Sequence, residues 1–137
     1  MDKKDEILKT ALEIVSLEGI DSLTINSLSN QVGLSKATMY HYFTSKDEII
    51  NEMLSRGHKN IMKNGFQLDL RGDKQDVMEK AAEKWESMFL DEENWHFLRV
   101  VFSLHFTLPP AQDEYRSLYL MLSSQASVII SSFDIKE

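Results

Sequence analysis

Apolar residues recur at helical spacing from the first residues of the chain. The first stripe is formed by Ile7, Leu8, Ala11, Leu12 and Val15. Residues three or four apart lie on one face of a helix, and a glycine after the last apolar residue often ends it in the left-handed conformation. The pattern predicts a helix over residues 3–18, with Gly19 as a left-handed cap.

Two short helices with a tight turn between them are predicted next. Thr24 can cap the first of them, and Gly33 can end it because glycine tolerates positive φ. Its apolar side consists of Ile25, Leu28 and Val32. Ser35 can cap a third helix over Lys36–Phe43, and because only two residues separate it from Gly33, the helices must meet at a steep angle. This arrangement is a helix-turn-helix.

A long fourth helix is predicted to begin with a reciprocal capping box between Ser45 and Glu48 and to fade near Gly65. Its apolar residues are Ile49, Ile50, Met53, Leu54 and Ile61. Residues 70–73 then form the clearest linker. The sequence is accordingly divided into a helix-turn-helix domain at 1–48 and a helical region at 49–137.

The second half of the chain contains three further helical patterns. One stripe comprises Val77, Met78, Ala81, Ala82, Trp85, Met88 and Phe89. Residues 91–94 are a short polar join, and Trp95–Leu108 is apolar on nearly every side, which predicts a helix enclosed by others until Pro109 and Pro110 stop it. The last stripe comprises Tyr115, Leu118, Tyr119, Leu122, Ala126, Ile129, Ile130 and Phe133.

Three apolar residues of the last helix, Leu120, Met121 and Val128, lie off its stripe and need another cover. Two explanations stay open. Either residues 113–133 dimerise directly, or the chain is shortened at its C-terminus and exposes an apolar band.

Composition agrees with an all-α protein. The 137 residues include only 5 Gly and 2 Pro, and 42% are hydrophobic. The absence of Cys excludes disulfides and thiolate zinc sites, and no apolar run is long enough to cross a bilayer, so we expect a cytoplasmic protein without a membrane partner.

The charge is unfavourable for a DNA-binding protein. The net charge is -7, and residues 1–51 carry five Lys against eight Asp and Glu, which gives -3. Phosphate neutralisation supplies most non-specific affinity for DNA, although a local basic cluster matters more for docking than the total. A protein-interaction module whose helix-turn-helix no longer binds DNA is therefore the alternative.

Residues 5–50 resemble the tetracycline-repressor (TetR) family. The resemblance rests on the Gly33-Leu34-Ser35 turn, followed in order by Thr38, Tyr40, Tyr42, Phe43, Ser45 and Lys46. The chain departs from the family in having Val15, Ser29 and Ala37 where Phe, Ala and Gly are common. The resemblance implies a homodimeric repressor in which residues 1–48 are the DNA-binding domain and the third helix enters the major groove of an inverted-repeat operator. It also implies that residues 49–137 are the ligand-binding and dimerisation region, which binds a small inducer.

The chemistry of the third helix agrees with this implication. Thr38 and Tyr42 are one turn apart, so both hydroxyls can reach phosphate oxygens, while Tyr40 and His41 can reach base edges or phosphates. Phe43 is expected in the core. The residues assigned to the DNA contact are Thr24, Lys36, Ala37, Thr38, Tyr40, His41, Tyr42 and Lys46.

No catalytic constellation, cofactor motif or metal site is predicted. His96 and His105 point to opposite sides of a helix, and the pair Glu92 and His96 is read as a solvated helix start. The expected inducer is an apolar or aromatic compound, and a cationic compound also fits. The reason is that the C-terminal region is rich in aromatic residues. The residues assigned to it are Trp85, Phe89, Trp95, Phe102, Phe106 and Tyr119.

Overall fold

The protein is all-α, as predicted. The computed structural model describes residues 1–65 and 67–133, and within these ranges it contains no strand. The helices are α1 (Lys3–Glu18), α2 (Ile25–Val32), α3 (Lys36–Tyr42), α4 (Lys46–Gly65), α5 (Lys74–Leu90), α6 (Glu92–Leu104) and α7 (Pro109–Ser132), with a 3₁₀ turn at Ile20–Ser22. None of the helices in this part of the chain is both long enough and apolar enough to span a membrane.

The end of α1 differs in detail from the prediction. Gly19 has a positive φ of 97°, but its ψ of 164° places it outside the left-handed helical region. Its N–H still donates to the Val15 carbonyl, and its own carbonyl accepts from the Ser22 N–H. Gly19 is therefore needed for its positive φ, and it leads into the 3₁₀ turn rather than closing a left-handed cap.

The join between α5 and α6 is a single residue, so the predicted polar join over 91–94 is wrong. The Asp91 N–H donates to the Ser87 carbonyl at the end of α5, and the Asp91 carboxylate accepts from the Asn94 N–H at the start of α6. Glu92 and Glu93 occupy the first turn of α6, where negative side chains favour the helix dipole. The acidic run that looked like a loop is a helix start.

The predicted enclosure of residues 95–108 is also wrong. One face of α6 is buried, with Phe97, Val100 and Val101 inaccessible to solvent. Trp95, Phe102 and Phe106 are exposed, the last at 88%. Helix α6 ends at Leu104, and Pro109 both stops the preceding segment and starts α7, since proline is well tolerated in a first helical turn.

Helix α7 is rotated slightly from the stripe predicted for it. Met121 is buried and needs no further cover, whereas Leu120 and Val128 are exposed as expected. Tyr119 and Ile130, which the stripe placed inside, are also exposed.

A single core cluster extends from the N-terminal domain at residues 1–48, here called the head, into the C-terminal half. Ile7 and Leu12 of α1, Met53 of α4, Phe97 of α6 and Met121 of α7 all belong to it. The boundary predicted at residue 48 is therefore not a gap in the packing. A smaller cluster between α5 and α7, here called the α5–α7 cluster, contains Val77, Ala81 and Ile129, with Leu68, Trp85 and Phe133 packed against it.

Candidate nucleic-acid interface

Helix α3 presents one face to solvent and fixes the other in the core. Met39 and Phe43, four residues apart, are buried. On the solvent side, Lys36, Ala37, Tyr40 and His41 are exposed. The sequence predicted that Phe43 is a core residue, and the structure confirms this. The helix is one residue shorter than predicted, because Phe43 forms its extended C-cap.

The start of α3 is capped as the sequence predicted. The Ser35 hydroxyl accepts from the Thr38 N–H at 3.1 Å and lies 2.8 Å from the Thr38 hydroxyl. Thr38 is half-buried, so its hydroxyl stays next to the cap. The cap leaves the α3 face that bears Lys36 and Tyr40 uncovered.

The turn before α3 is set by local hydrogen bonds. Thr24 and Ser27 form a capping box at the start of α2, in which the Thr24 hydroxyl accepts from the Ser27 N–H at 3.0 Å. At the other end, Gly33 is left-handed with φ 77° and ψ 31°, and the N–H groups of Gly33 and Leu34 both donate to the Ser29 carbonyl. These bonds fix where α3 leaves α2.

The two remaining predicted contacts, Tyr42 and Lys46, also take part in packing. Tyr42 is half-buried against the core. The Lys46 ammonium donates to the Ile20 carbonyl at 3.0 Å, which joins the start of α4 to the 3₁₀ turn after α1. An ammonium has three donors, so this bond leaves donors for a phosphate.

The reciprocal box predicted between Ser45 and Glu48 is only half present. The Ser45 hydroxyl accepts from the Glu48 N–H at 3.1 Å. The Glu48 carboxylate, however, accepts from both the hydroxyl and the N–H of Thr44 at 2.6 Å each. The bond from the Thr44 hydroxyl, followed by that from its N–H, holds the pKa of Glu48 below its usual value.

Helix α3 carries one cationic side chain, Lys36, which differs from Lys4 of α1 in its surroundings. Lys4 is paired with Glu52 at 2.9 Å and lies over the Phe43 ring. Lys36 makes no ion pair with any residue that the structure describes. The exposed face of α3 thus has a free cation although the head as a whole is acidic.

Arg56 of α4 did not stand out in the sequence, yet it connects three helices. Its guanidinium reaches Asp5 of α1 at 2.7 Å and Glu93 of α6 at 2.7 Å, and Asn60 also donates to Glu93. These carboxylates hold the pKa of Arg56 above its usual value, the bond to Glu93 being the largest cause. Asp5 and Glu93 are far from Arg56 along the chain, so no local sequence pattern indicates this cluster.

The six residues predicted for the inducer do not enclose a shared cavity. Five of them are exposed, namely Phe89, Trp95, Phe102, Phe106 and Tyr119. Trp85 is half-buried and donates from its indole N–H to the Gln125 side-chain oxygen at 2.8 Å. The aromatic residues that the sequence analysis grouped together are spread over α5, α6, α7 and the turn between α6 and α7, which holds Phe106.

His96 is a structural residue in the described structure. Its Nδ1 lies 2.8 Å from the hydroxyl of Ser16 in α1, and both side chains are buried. Its Nε2 is 4.0 Å from Glu92, which is largely exposed. Among the residues that the structure describes, no group of three or more His, Asp or Glu side chains could hold a metal ion.

Comparison with known proteins shows that the head is similar to a described family. Residues 7–53 match the family model for "Bacterial regulatory proteins, tetR family". The chain is 35% identical over 48 residues to the HTH-type transcriptional regulator YvdT of Bacillus subtilis, a match that covers 35% of this chain and 25% of that protein. It is also 35% identical over 46 residues to IcaR of Staphylococcus epidermidis, a negative regulator of the biofilm operon icaADBC. The chain therefore covers about a quarter of each of these two curated relatives.

Solved structures resemble a larger part of the chain. A transcriptional regulator from Saccharomonospora viridis in complex with choline has a TM-score of 0.72 at 22% identity, covering 94% of this chain and 68% of that one. The TetR-family regulator PfmR from Thermus thermophilus has a TM-score of 0.70 at 25% identity, covering 93% and 70%. The fold is thus shared well beyond the head.

Proposed function

Since residues 7–53 match the TetR family of bacterial regulatory proteins, we propose that the chain is a TetR-family, sequence-specific DNA-binding repressor. We further propose that it acts in the cytoplasm as a homodimer on an inverted-repeat operator and is released by a small molecule.

The exposed face of α3 carries this proposal. Met39 and Phe43 anchor one side of α3 in the core, so the backbone of α3 is held in place without bound DNA. Lys36, Tyr40 and His41 extend from the other side into solvent. A short, rigidly held helix with a cation and two ring side chains on its free face suits a major groove.

The side chains divide into two roles. Lys36, Thr38, Tyr42 and Lys46 offer hydroxyl or ammonium donors at the ends of α3 and the start of α4, which suits phosphate contacts. Ala37, Tyr40 and His41 are exposed on α3, which suits contacts with base edges. Thr24 at the start of α2 offers a further hydroxyl to the DNA backbone.

The proposed release by a ligand is supported by similarity of fold to a protein solved with a small molecule. The Saccharomonospora viridis neighbour was solved with choline, so a protein of this fold holds a small molecule. A compound acts on DNA binding only if it binds one head spacing more tightly than the other. Helix α4 is suited to transmit such a change, because it begins at the head and Arg56 ties it to both α1 and α6.

Selection from a randomised DNA library with the purified chain tests the proposal. We expect an inverted repeat whose half-sites are about 34 Å apart, or a multiple of this, because paired reading helices enter successive grooves on one side of the duplex. Affinity should fall as salt rises. An asymmetric single half-site of full affinity would contradict the dimeric mode of binding.

The acidic head favours one second candidate, a protein-interaction module that no longer binds DNA. The same selection distinguishes the two, because such a module would enrich no sequence and would show no salt-dependent binding even to non-specific DNA. The double substitution Lys36→Ala with His41→Ala provides the matched control, since it removes exposed side chains of α3 and leaves Met39 and Phe43 in place.

A further inference from the structure

A cleft of about 240 Å³ lies between the connection that leads into α5 and one face of α7. Met121, Ser124, Gln125 and Val128 of α7 form one wall, and Leu68 and Leu70 form the other. The α7 residues are spaced by three or four, so they share a single helix face. We propose that this cleft binds a small, uncharged, mainly hydrocarbon molecule carrying one hydroxyl or carbonyl group.

The wall made by Leu68 and Leu70 is held in position by polar contacts on its other side. Asp69, between them, accepts from the Arg71 N–H at 3.0 Å and from its guanidinium at 2.9 Å, and pairs with Lys80 of α5 at 3.2 Å. Lys84, one turn further along α5, donates to the Gln67 carbonyl. These contacts fasten the connection to α5, so its two leucines face α7 without a ligand present.

The chemistry of the lining selects the ligand class. None of the six side chains is charged, and burying an ion without a partner is strongly unfavourable, so a charged ligand is disfavoured. The floor is closed, since Met121 and Gln125 are buried, whereas Leu70 and Val128 at the rim are exposed. The Ser124 hydroxyl, also exposed, can bond a polar group at the mouth.

The volume limits the size of the molecule. Pockets for drug-sized ligands usually measure about 300–1,000 Å³, so this cleft suits about ten non-hydrogen atoms at most. The hydrogen bond from Trp85 fixes the Gln125 oxygen in the floor, which gives the cleft a defined shape. A ligand there would extend the small α5–α7 cluster and cover apolar surface that the protein leaves open.

The test uses 2-phenylethanol as the probe, measured by calorimetry on the whole chain. The 2-phenylethylammonium ion and phenylacetate are its charged counterparts of similar shape. We expect saturable binding of the alcohol and none of either ion. Val128→Phe, which fills the rim, should weaken binding about tenfold or more. Ile130→Phe is the matched control, because Ile130 is an exposed α7 residue outside the cleft and should leave binding unchanged.

The proposal would be overturned by non-saturable binding, by equal binding of the ions, or by unchanged affinity in Val128→Phe. Loss of binding as protein concentration rises would assign the cleft to a second copy of the chain and would overturn it as well. The assay contains no DNA, so it is independent of the proposed function. If the alcohol binds but the chain selects no operator, the repressor proposal fails and the proposed ligand site stands. If the chain selects an operator but the alcohol does not bind, the ligand site fails and the repressor proposal stands.

Discussion

The Phe97 ring of α6 packs directly onto the α-carbon of Gly57 in α4. A Cβ added at Gly57 would lie 2.1 Å from Cδ2 of that ring, well inside van der Waals contact. Phe97 is completely buried and Gly57 lies in mid-helix, so neither has space to move away. Helices α4 and α6 can therefore pack this closely only because Gly57 has no side chain.

Gly57→Ala should therefore destabilise the protein, although Ala is normally the better helix residue by about 1 kcal/mol. Overpacking in a filled core costs about 1–3 kcal/mol, which reverses the usual sign. Urea unfolding followed by circular dichroism measures the change. Ser55→Ala, at an exposed α4 position, is the control and should be neutral or slightly stabilising. An equal gain in both variants would mean that Phe97 does not limit the helix approach.

Ser29→Ala should stabilise the protein by about 1 kcal/mol. Its hydroxyl is buried at 4% exposure and has no hydrogen-bond partner among the described residues. Removing it leaves a methyl group at the same buried position of α2. Ser27→Ala serves as the contrast, because it breaks the capping box with Thr24 and should lower the unfolding midpoint. Thermal unfolding of both variants checks the opposite signs.

Glu48 should contribute more stability at neutral than at acidic pH. Its pKa is lowered from an ordinary value of 4.5, chiefly by the Thr44 hydroxyl. A group with a depressed pKa in the folded state stabilises above its unfolded pKa and loses that contribution as pH falls through the folded value. The stability difference between wild type and Glu48→Gln should thus be largest above about pH 5 and vanish at lower pH. Carboxyl NMR titration of Thr44→Val should show the Glu48 pKa moving up, and an unmoved pKa would exclude the Thr44 hydroxyl as its cause.

Tyr42→Phe should weaken binding to all DNA sequences by a similar factor. The substitution removes only a hydroxyl and leaves the half-buried ring in the core. Phosphate contacts position the protein without reading bases. Gel-shift titration on the selected operator and on scrambled DNA measures both affinities, with Tyr119→Phe on exposed α7 as the matched control. A changed sequence preference at intact affinity would assign the hydroxyl to base reading instead.

Lys46→Ala should reduce the slope of log affinity against log salt by about one, because one phosphate contact is lost. The same change removes the bond to the Ile20 carbonyl, so the unfolding midpoint should fall as well. Lys46→Gln keeps a donor for that carbonyl but no charge, and should restore stability without restoring the slope. If Lys46→Ala lowered stability and left the salt slope intact, Lys46 would serve packing alone.

The helix-turn-helix of the head could be predicted from the sequence because the interactions that determine it are local. Thr24 and Ser35 cap helices through bonds to residues three positions away, and Gly33 takes a conformation that its own lack of a Cβ allows. Two local predictions failed: Gly19 leads into the 3₁₀ turn instead of closing a left-handed cap, and Glu48 bonds Thr44 instead of Ser45. The family resemblance rests on the same short-range pattern.

The C-terminal half was decided by tertiary structure. Apolar periodicity placed Tyr119 and Ile130 inside and Met121 outside, and the structure reverses all three. It also brings Arg56 to Asp5 and Glu93, and Trp85 to Gln125, across many intervening residues. A sequence pattern shows which face of a helix is apolar, whereas burial depends on which neighbours cover that face. That choice is made by how whole helices pack, because contacts between them join residues that have no fixed spacing along the chain.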